Sequence, residues 1–428
     1  MKIHATKSLQ ISWVKFMKPV SCDRPGLMPI DVAKQQISQQ INSVTDVEQL
    51  PLEKALGRVL AEDVLSAINV PGFDNSAMDG YVFKRQDLIE LKKLSLVGKS
   101  LAGHPYQSAL SPGGCVRIMT GAAIPDGADT VMMQENAIVD DNHISFTHIP
   151  SKGNEVRLSG ESISKGSLVA AAGKRLTATD IGLLSSLGCS EVSVYRKVKV
   201  AIFSTGDELL HASEEYQSDK IYDGNRPALI ALLTKMDCEI IDFGIVADDK
   251  AQLREVFQQA DHQADCVITS GGVSVGEADF VKQILAELGH IDFWKIAIKP
   301  GKPLAFGRLP NSVFFGLPGN PVSAFVTFDQ IAADGIRQLA GEQEQARTLL
   351  PAVSINRLRK RPGRADYQRG HYYVDGNGKL VVESTGAQGS GIFSSFSKSN
   401  CYIVLERDRN TVEPGETVYI QMFNSTLL

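Results

Sequence analysis

At 428 residues the chain is too long for one hydrophobic core and implies three or four domains. Its 43% hydrophobic and 22% charged residues are those of an ordinary globular protein, and a net charge of -5 leaves no basic footprint for nucleic acid or an anionic membrane. An anionic ligand would therefore have to be held locally by a few lysines. The six cysteines form no C-x-x-C pair, which excludes a disulfide framework or a zinc site and reads as reduced, mostly buried thiols in a cytoplasmic protein. No apolar run approaches the roughly 20 residues of a membrane span.

The first residues carry Lys2, Lys7 and Lys15 without an unbroken apolar stretch, so a signal peptide is not expected. They read as a disordered extension, or the chain begins in earnest at Met17. Met28 to Ile41 and Leu52 to Val64 are predicted helical. From about Ala67 to Gly166 short apolar runs broken by Gly and Pro predict an all-β module. From about Lys197 to Leu339, apolar strands alternate with segments of helical spacing, which predicts a mostly parallel, doubly wound α/β sheet. The tail from Pro351 to Leu428 alternates in short runs and predicts a small β-barrel.

Candidate chemistry gathers in glycine-punctuated loops. In a doubly wound sheet ligands bind outside the carboxyl ends of the strands. Ser204-Thr-Gly-Asp-Glu208, Thr269-Ser-Gly-Gly-Val-Ser274 and Leu317-Pro-Gly-Asn-Pro321 all fall there. The second offers hydroxyls and unblocked backbone N–H groups from Ser270, Gly271, Gly272 and Ser274, a cradle for phosphate. It is neither a Walker loop nor a G-x-G-x-x-G fingerprint. Glu208, Asp248 or Asp249, and Asp279 follow strands at the same edge, where carboxylates suit a hard cation such as Mg²⁺ shared with a phosphate. Each acid also has a plainer reading: Asp279, and Asp248 or Asp249, stand where helix caps stand. Lys295 and Lys299 are spaced to share one face of a strand and could offset an oxyanion; a solvated sheet face is the alternative. Asp74-Asn-Ser-Ala-Met-Asp79 reads either as an Asx-type turn or as a lobe closing on a ligand.

These segments, with Arg117-Ile-Met-Thr-Gly-Ala122, Lys295–Gly307 and Gly316–Val322, occur in an order that resembles the molybdopterin molybdenumtransferase family, whose fold recurs in the C-terminal domain of gephyrin. The resemblance covers Met28 to Leu428. It implies a multidomain α/β plus β architecture: an extension at 1–26, an α/β molybdopterin-binding domain from 27–46 and 198–346, a connecting domain from 47–65 and 167–197, a β-rich domain at 66–166, and a C-terminal barrel at 351–428. It implies a homodimer with a shared site, and a substrate pair of adenylyl-molybdopterin and molybdate, with Mg²⁺-dependent release of AMP. An adenylyltransferase would be a partner protein. Glu208, Asp248 and Asp279 would handle the metal and the hydrolysis, and Lys295 and Lys299 the anions. Thr205, Gly206, Pro318, Gly319, Asn320, Pro321 and Ser390 would line the substrate, with Asp79, Thr120 and Arg157 coming from the β-rich domain. Three positions depart from the family pattern: Ser162 stands where Asp is usual, Gly224 where Ser or Thr is common, and Gly391 where His is common. The competing expectations are a non-catalytic scaffold or binding protein on the same fold, and a molybdopterin adenylyltransferase.

Overall fold

The computed structural model describes residues 26–272, 280–344 and 346–423. The chain divides into two compact units. One comprises Lys199–Ile336 with the described residues before Asn42 and after Glu344; the other comprises Asn42–Val198 with Arg337–Glu344.

The first unit is built on a six-stranded sheet. Its order is Glu239–Val246, Lys199–Thr205, Cys266–Ser270, Val313–Leu317, Pro303–Arg308, His290–Lys295. The first four strands are parallel, with Ser204 opposite Ser270 and Ser270 opposite Leu317. Val200 to Phe203 are fully buried, as a strand covered on both faces requires. Helices Lys250–Gln263 and Phe280–Leu288 cover one face over Phe203, Leu253, Phe257, Ile284, Leu285 and Phe314. The expected doubly wound domain is present. The last two strands each run antiparallel to their inner neighbour, so His290–Lys295 ends at the same edge as the parallel strands.

The tail forms the expected barrel. Leu350–Ser354, Ala365–Val374, Leu380–Ser384, Cys401–Leu405 and Thr417–Met422 close into a five-stranded ring around Ala352, Val382, Ile403, Leu405, Val418 and Ile420. Ile298–Lys299 adds a short parallel pairing at Ala365 and Asp366.

The second unit holds another six-stranded sheet, ordered Thr130–Met133, Gly80–Phe83, Gly114–Ile118, Leu94–Ser100, His143–Phe146, Ala137–Asp140. The β-rich reading of this stretch holds, with one helix, Arg85–Leu91, inside it. Val47–Pro51 pairs with Glu191–Tyr195, and together with helix Ala178–Ser186 they bury Leu52, Leu60, Leu176, Leu184, Val192 and Val194. Thr177 and Asp180 form a capping box at that helix.

Two local expectations fail. Leu52 to Val64 is not a helix: only Leu52–Lys54 makes a single 3₁₀ turn. Gly57 sits at φ +79°, and the N–H groups of Gly57 and Leu60 donate to Leu176 and Lys174 carbonyls instead of to the preceding turn. Nor do Lys295 and Lys299 share a strand. Lys295 ends the α/β sheet, whereas Lys299 pairs into the barrel.

Candidate functional site

The site is assembled at the carboxyl edge of the parallel strands. Thr205 is the last residue of strand Lys199–Thr205 and Gly206 follows at φ +143°. Ser270 ends the next strand; Gly271 and Gly272 follow at φ +98° and +65°, in the left-handed region where a Cβ is costly. A Cβ on Gly271 would lie 2.7 Å from the Thr205 carbonyl oxygen, and one on Gly272 would lie 2.9 Å from Thr205 Oγ1. Glycine is thus required by close approach as well as by φ. The Gly271 N–H donates to the Leu317 carbonyl at 3.1 Å, tying this turn to the strand that leads into Pro318, Gly319, Asn320 and Pro321. Pro321 opens helix Pro321–Thr327, and Val322 N–H donates to the Ser390 carbonyl at 3.0 Å, so the barrel delivers Ser390 to this loop. Ser274 and Asp279 lie outside the described residues.

Among the described residues, Ser204 Oγ, Thr205 Oγ1 and Thr269 Oγ1 are buried without a hydrogen-bond partner. Buried hydroxyls are ordinarily satisfied. Three orphans at the ends of two adjacent strands mark an edge prepared for polar groups from elsewhere.

The acids sort themselves. Asp249 caps helix Lys250–Gln263, accepting from Ala251 and Gln252 N–H groups, which leaves Asp248 uncommitted to the helix. Asp248 has its carboxyl held above the ordinary range, first by burial and then by the charges of Asp207 and Glu208. Its N–H donates to Asp207 Oδ1 at 3.1 Å. Asp207, next to the Glu208 singled out in the sequence, was overlooked although it belongs to the same Thr-Gly-Asp-Glu segment. Among the described residues no group of three acids, histidines or cysteines is close enough to enclose a metal by itself. Mg²⁺ ordinarily takes one or two carboxylates and shares its shell with phosphate and water. Glu208 and Asp248, crowded by like charge, fit that donor set.

Lys295 is exposed at the sheet edge. Lys299 is already paired: its Nζ donates to Asp366 Oδ2 at 3.0 Å, a carboxylate only 2% exposed in the barrel. It carries an internal counter-ion, so it is not one of a matched pair of free cations.

In the second unit Asp79 and Thr120 meet. Thr120 donates from its N–H at 2.7 Å and from its hydroxyl at 2.8 Å to Asp79 Oδ1, and these two bonds hold the exposed Asp79 carboxyl below its usual pKa. Arg157 lies in a short strand with Asn75 opposite. Ser162 is exposed, its N–H donating to the Val70 carbonyl at 3.0 Å. Gly224 is the N-cap of helix Asn225–Lys235, so the hydroxyl common there is replaced by a residue that costs such a cap only a few tenths of a kcal/mol.

Three family models match in chain order: the MoeA N-terminal region (domain I and II) over residues 28–188, a probable molybdopterin binding domain over 201–338, and the MoeA C-terminal region (domain IV) over 351–423. A molybdopterin molybdenumtransferase of Haemophilus influenzae is 48% identical over 403 residues, covering 94% of this chain and 100% of that one. Another, from a Nostoc species, is 36% identical over 391 residues, covering 89% and 90%. The solved structure of the molybdopterin biosynthesis moeA protein of Pyrococcus horikoshii superimposes with a TM-score of 0.81 at 29% identity, over 93% of this chain and 100% of that one. With the molybdopterin-binding domain, the closed barrel and the β-rich lobe in one chain, and relatives alike over 89–94% of it, the protein belongs to the molybdopterin molybdenumtransferase family.

Proposed function

We propose that the chain transfers molybdenum to molybdopterin, taking adenylyl-molybdopterin and molybdate and releasing AMP. The observation that carries this reading is the edge itself: orphaned hydroxyls, two glycines packed on Thr205, and acids crowded at Asp248 are what a phosphorylated ligand with a hard cation would satisfy. Thr205, Ser270 and the Gly271–Gly272 turn would bind the phosphate oxygens of the substrate. Glu208 and Asp248, with Asp279, would hold Mg²⁺, which when bound supplies Lewis-acid stabilisation of the charge that builds on phosphorus. Lys295 would meet the anionic oxygens, and Lys299, steadied by Asp366, would present a second ammonium from the barrel side. Ser390 and Pro318–Pro321 would shape the far wall. Molybdate would bind at the two dithiolene sulfurs, one of its oxygens leaving as water with the two thiol protons, and attack of water on the AMP phosphorus would then break its bond to the bridging oxygen, which leaves on the molybdopterin phosphate and takes up the proton, releasing AMP.

The remaining expectations are part of the same proposal: a homodimer in which Asp79, Thr120 and Arg157 of one copy complete the site of another, a cytoplasmic location, and an adenylyltransferase that hands on its product. The five-part domain division given above also stands as a proposal. Among the described residues no helix is long and apolar enough to cross a membrane. The direct test mixes purified protein with adenylyl-molybdopterin and Mg²⁺, with and without molybdate, and follows AMP. Release that rises with molybdate is expected. Absence of release, or formation of adenylyl-molybdopterin from ATP instead, would overturn the reading in favour of a scaffold or an adenylyltransferase.

A further inference from the structure

Helix Asn225–Lys235 starts beside the site, and its first residue reaches into it. Asn225 Nδ2 donates to Ser270 Oγ at 2.8 Å and to the Gly319 carbonyl at 2.7 Å. An amide nitrogen has two hydrogens, and both are used. Turning the amide over would set its oxygen against the Gly319 carbonyl, so the orientation is fixed by chemistry. The turn beneath is equally fixed. Asp223, 7% exposed, accepts from the Arg226 N–H at 3.2 Å and from Arg226 Nε at 3.1 Å, and Arg226 itself is 5% exposed and also pairs with Asp242.

The consequence falls on Ser270, which is 2% exposed at the end of its strand. Its oxygen accepts from Asn225, and among the described residues that is the one hydrogen bond it makes. A hydroxyl that accepts a bond on one of its two lone pairs cannot aim its hydrogen at that same donor. We infer that Asn225 is a positioning residue for the phosphate-bearing substrate: it keeps the Ser270 hydrogen turned away from its own amide, ready to be donated, and, through Gly319, locks the Pro318–Pro321 loop against the Ser270–Gly272 turn. The inference rests on the proposed molybdopterin site, and nothing in the sequence pattern assigned Asn225 a part in it.

The test reads binding, so that it does not depend on turnover. Molybdopterin is titrated into wild type, Asn225→Ala, Asn225→Asp, Ser270→Ala and the Asn225→Ala/Ser270→Ala double variant, with thermal melting of each. A donor lost toward a charged ligand predicts weakening of about tenfold to a hundredfold in Asn225→Ala. Asn225→Asp keeps the shape but cannot donate, and should be at least as weak. Because Asn225 works through Ser270, the double variant should be no worse than the weaker single variant to within about threefold. Asn225 variants that bind within about threefold of wild type, or a double variant whose loss equals the product of the single losses, would overturn the inference. So would melting points that fall while affinity is retained, since Asn225 would then be only a strut. Wild type that binds molybdopterin but shows no molybdate-dependent AMP release would sink the transferase reading alone.

Discussion

Replacing Gly271 with alanine probes whether the Ser270–Gly272 turn is a built part of the site. The residue sits at φ +98°, where an L side chain is strained by about 1–3 kcal/mol. Its new Cβ would lie 2.7 Å from the Thr205 carbonyl oxygen and 3.2 Å from Thr205 Oγ1. That carbonyl cannot retreat freely, because the strand behind it is hydrogen-bonded on both sides, in register at Ser204 with Ser270 and at Thr205 with Val246. With overpacking the total is about 2–6 kcal/mol. Either the fold bears this strain, and the melting temperature falls by at least about 4 °C, or the turn moves and molybdopterin affinity falls about tenfold or more. Gly376→Ala is the control: it lies in the barrel away from the site, its φ is not positive, and a Cβ there has nothing within 4 Å. Differential scanning calorimetry and a binding titration on both variants decide the matter. Should Gly271→Ala melt and bind like Gly376→Ala, the turn is not the cradle described.

Lys299→Ala leaves Asp366 buried without its counter-ion and should cost about 1–3 kcal/mol of stability, less than a fully buried pair because the lysine is 44% exposed; chemical denaturation measures it, and an unchanged midpoint would refute the structural half of its role. Asp248→Asn removes a charge that Asp207 and Glu208 repel, so the melting temperature at neutral pH should not fall, while the Mg²⁺ needed for half-maximal AMP release should rise about tenfold. An unaltered Mg²⁺ requirement would remove Asp248 from the cation site. Burial alone would raise the pKa of Asp334, but the charges of Arg347 and Lys34 and their hydrogen bonds outweigh it and hold it below 3.8. The stability this gives is present above the unfolded value and lost as pH falls through the folded one. Its side chain is 38% exposed, so Asp334→Asn should lower stability by about 1 kcal/mol at neutral pH, the two melting curves converging as pH drops below 3.8. Parallel curves at every pH would show that the ion pairs contribute nothing.

The sequence alone determined what depends on local chemistry and on periodicity. Short apolar runs bounded by turn signals, such as Val200–Phe203, read as strands buried on both faces, and the strand–loop–helix rhythm places Thr205, Ser270 and Pro318 at one edge because parallel strands all end on the same side. Partners distant in sequence emerge only once the chain is folded. Whether Lys299 is a free cation depends on Asp366, 67 positions away, and which of Asp248 and Asp249 caps a helix depends on a shift of one residue that periodicity does not resolve. Leu52 to Val64 has helical spacing, yet its backbone bonds to Lys174 and Leu176, because a long-range pairing that buries Leu60 outweighs a weak local propensity. Asn225 carried no signal of its own, since an asparagine at a helix start reads as ordinary capping chemistry until the fold brings Ser270 and Gly319 to its amide.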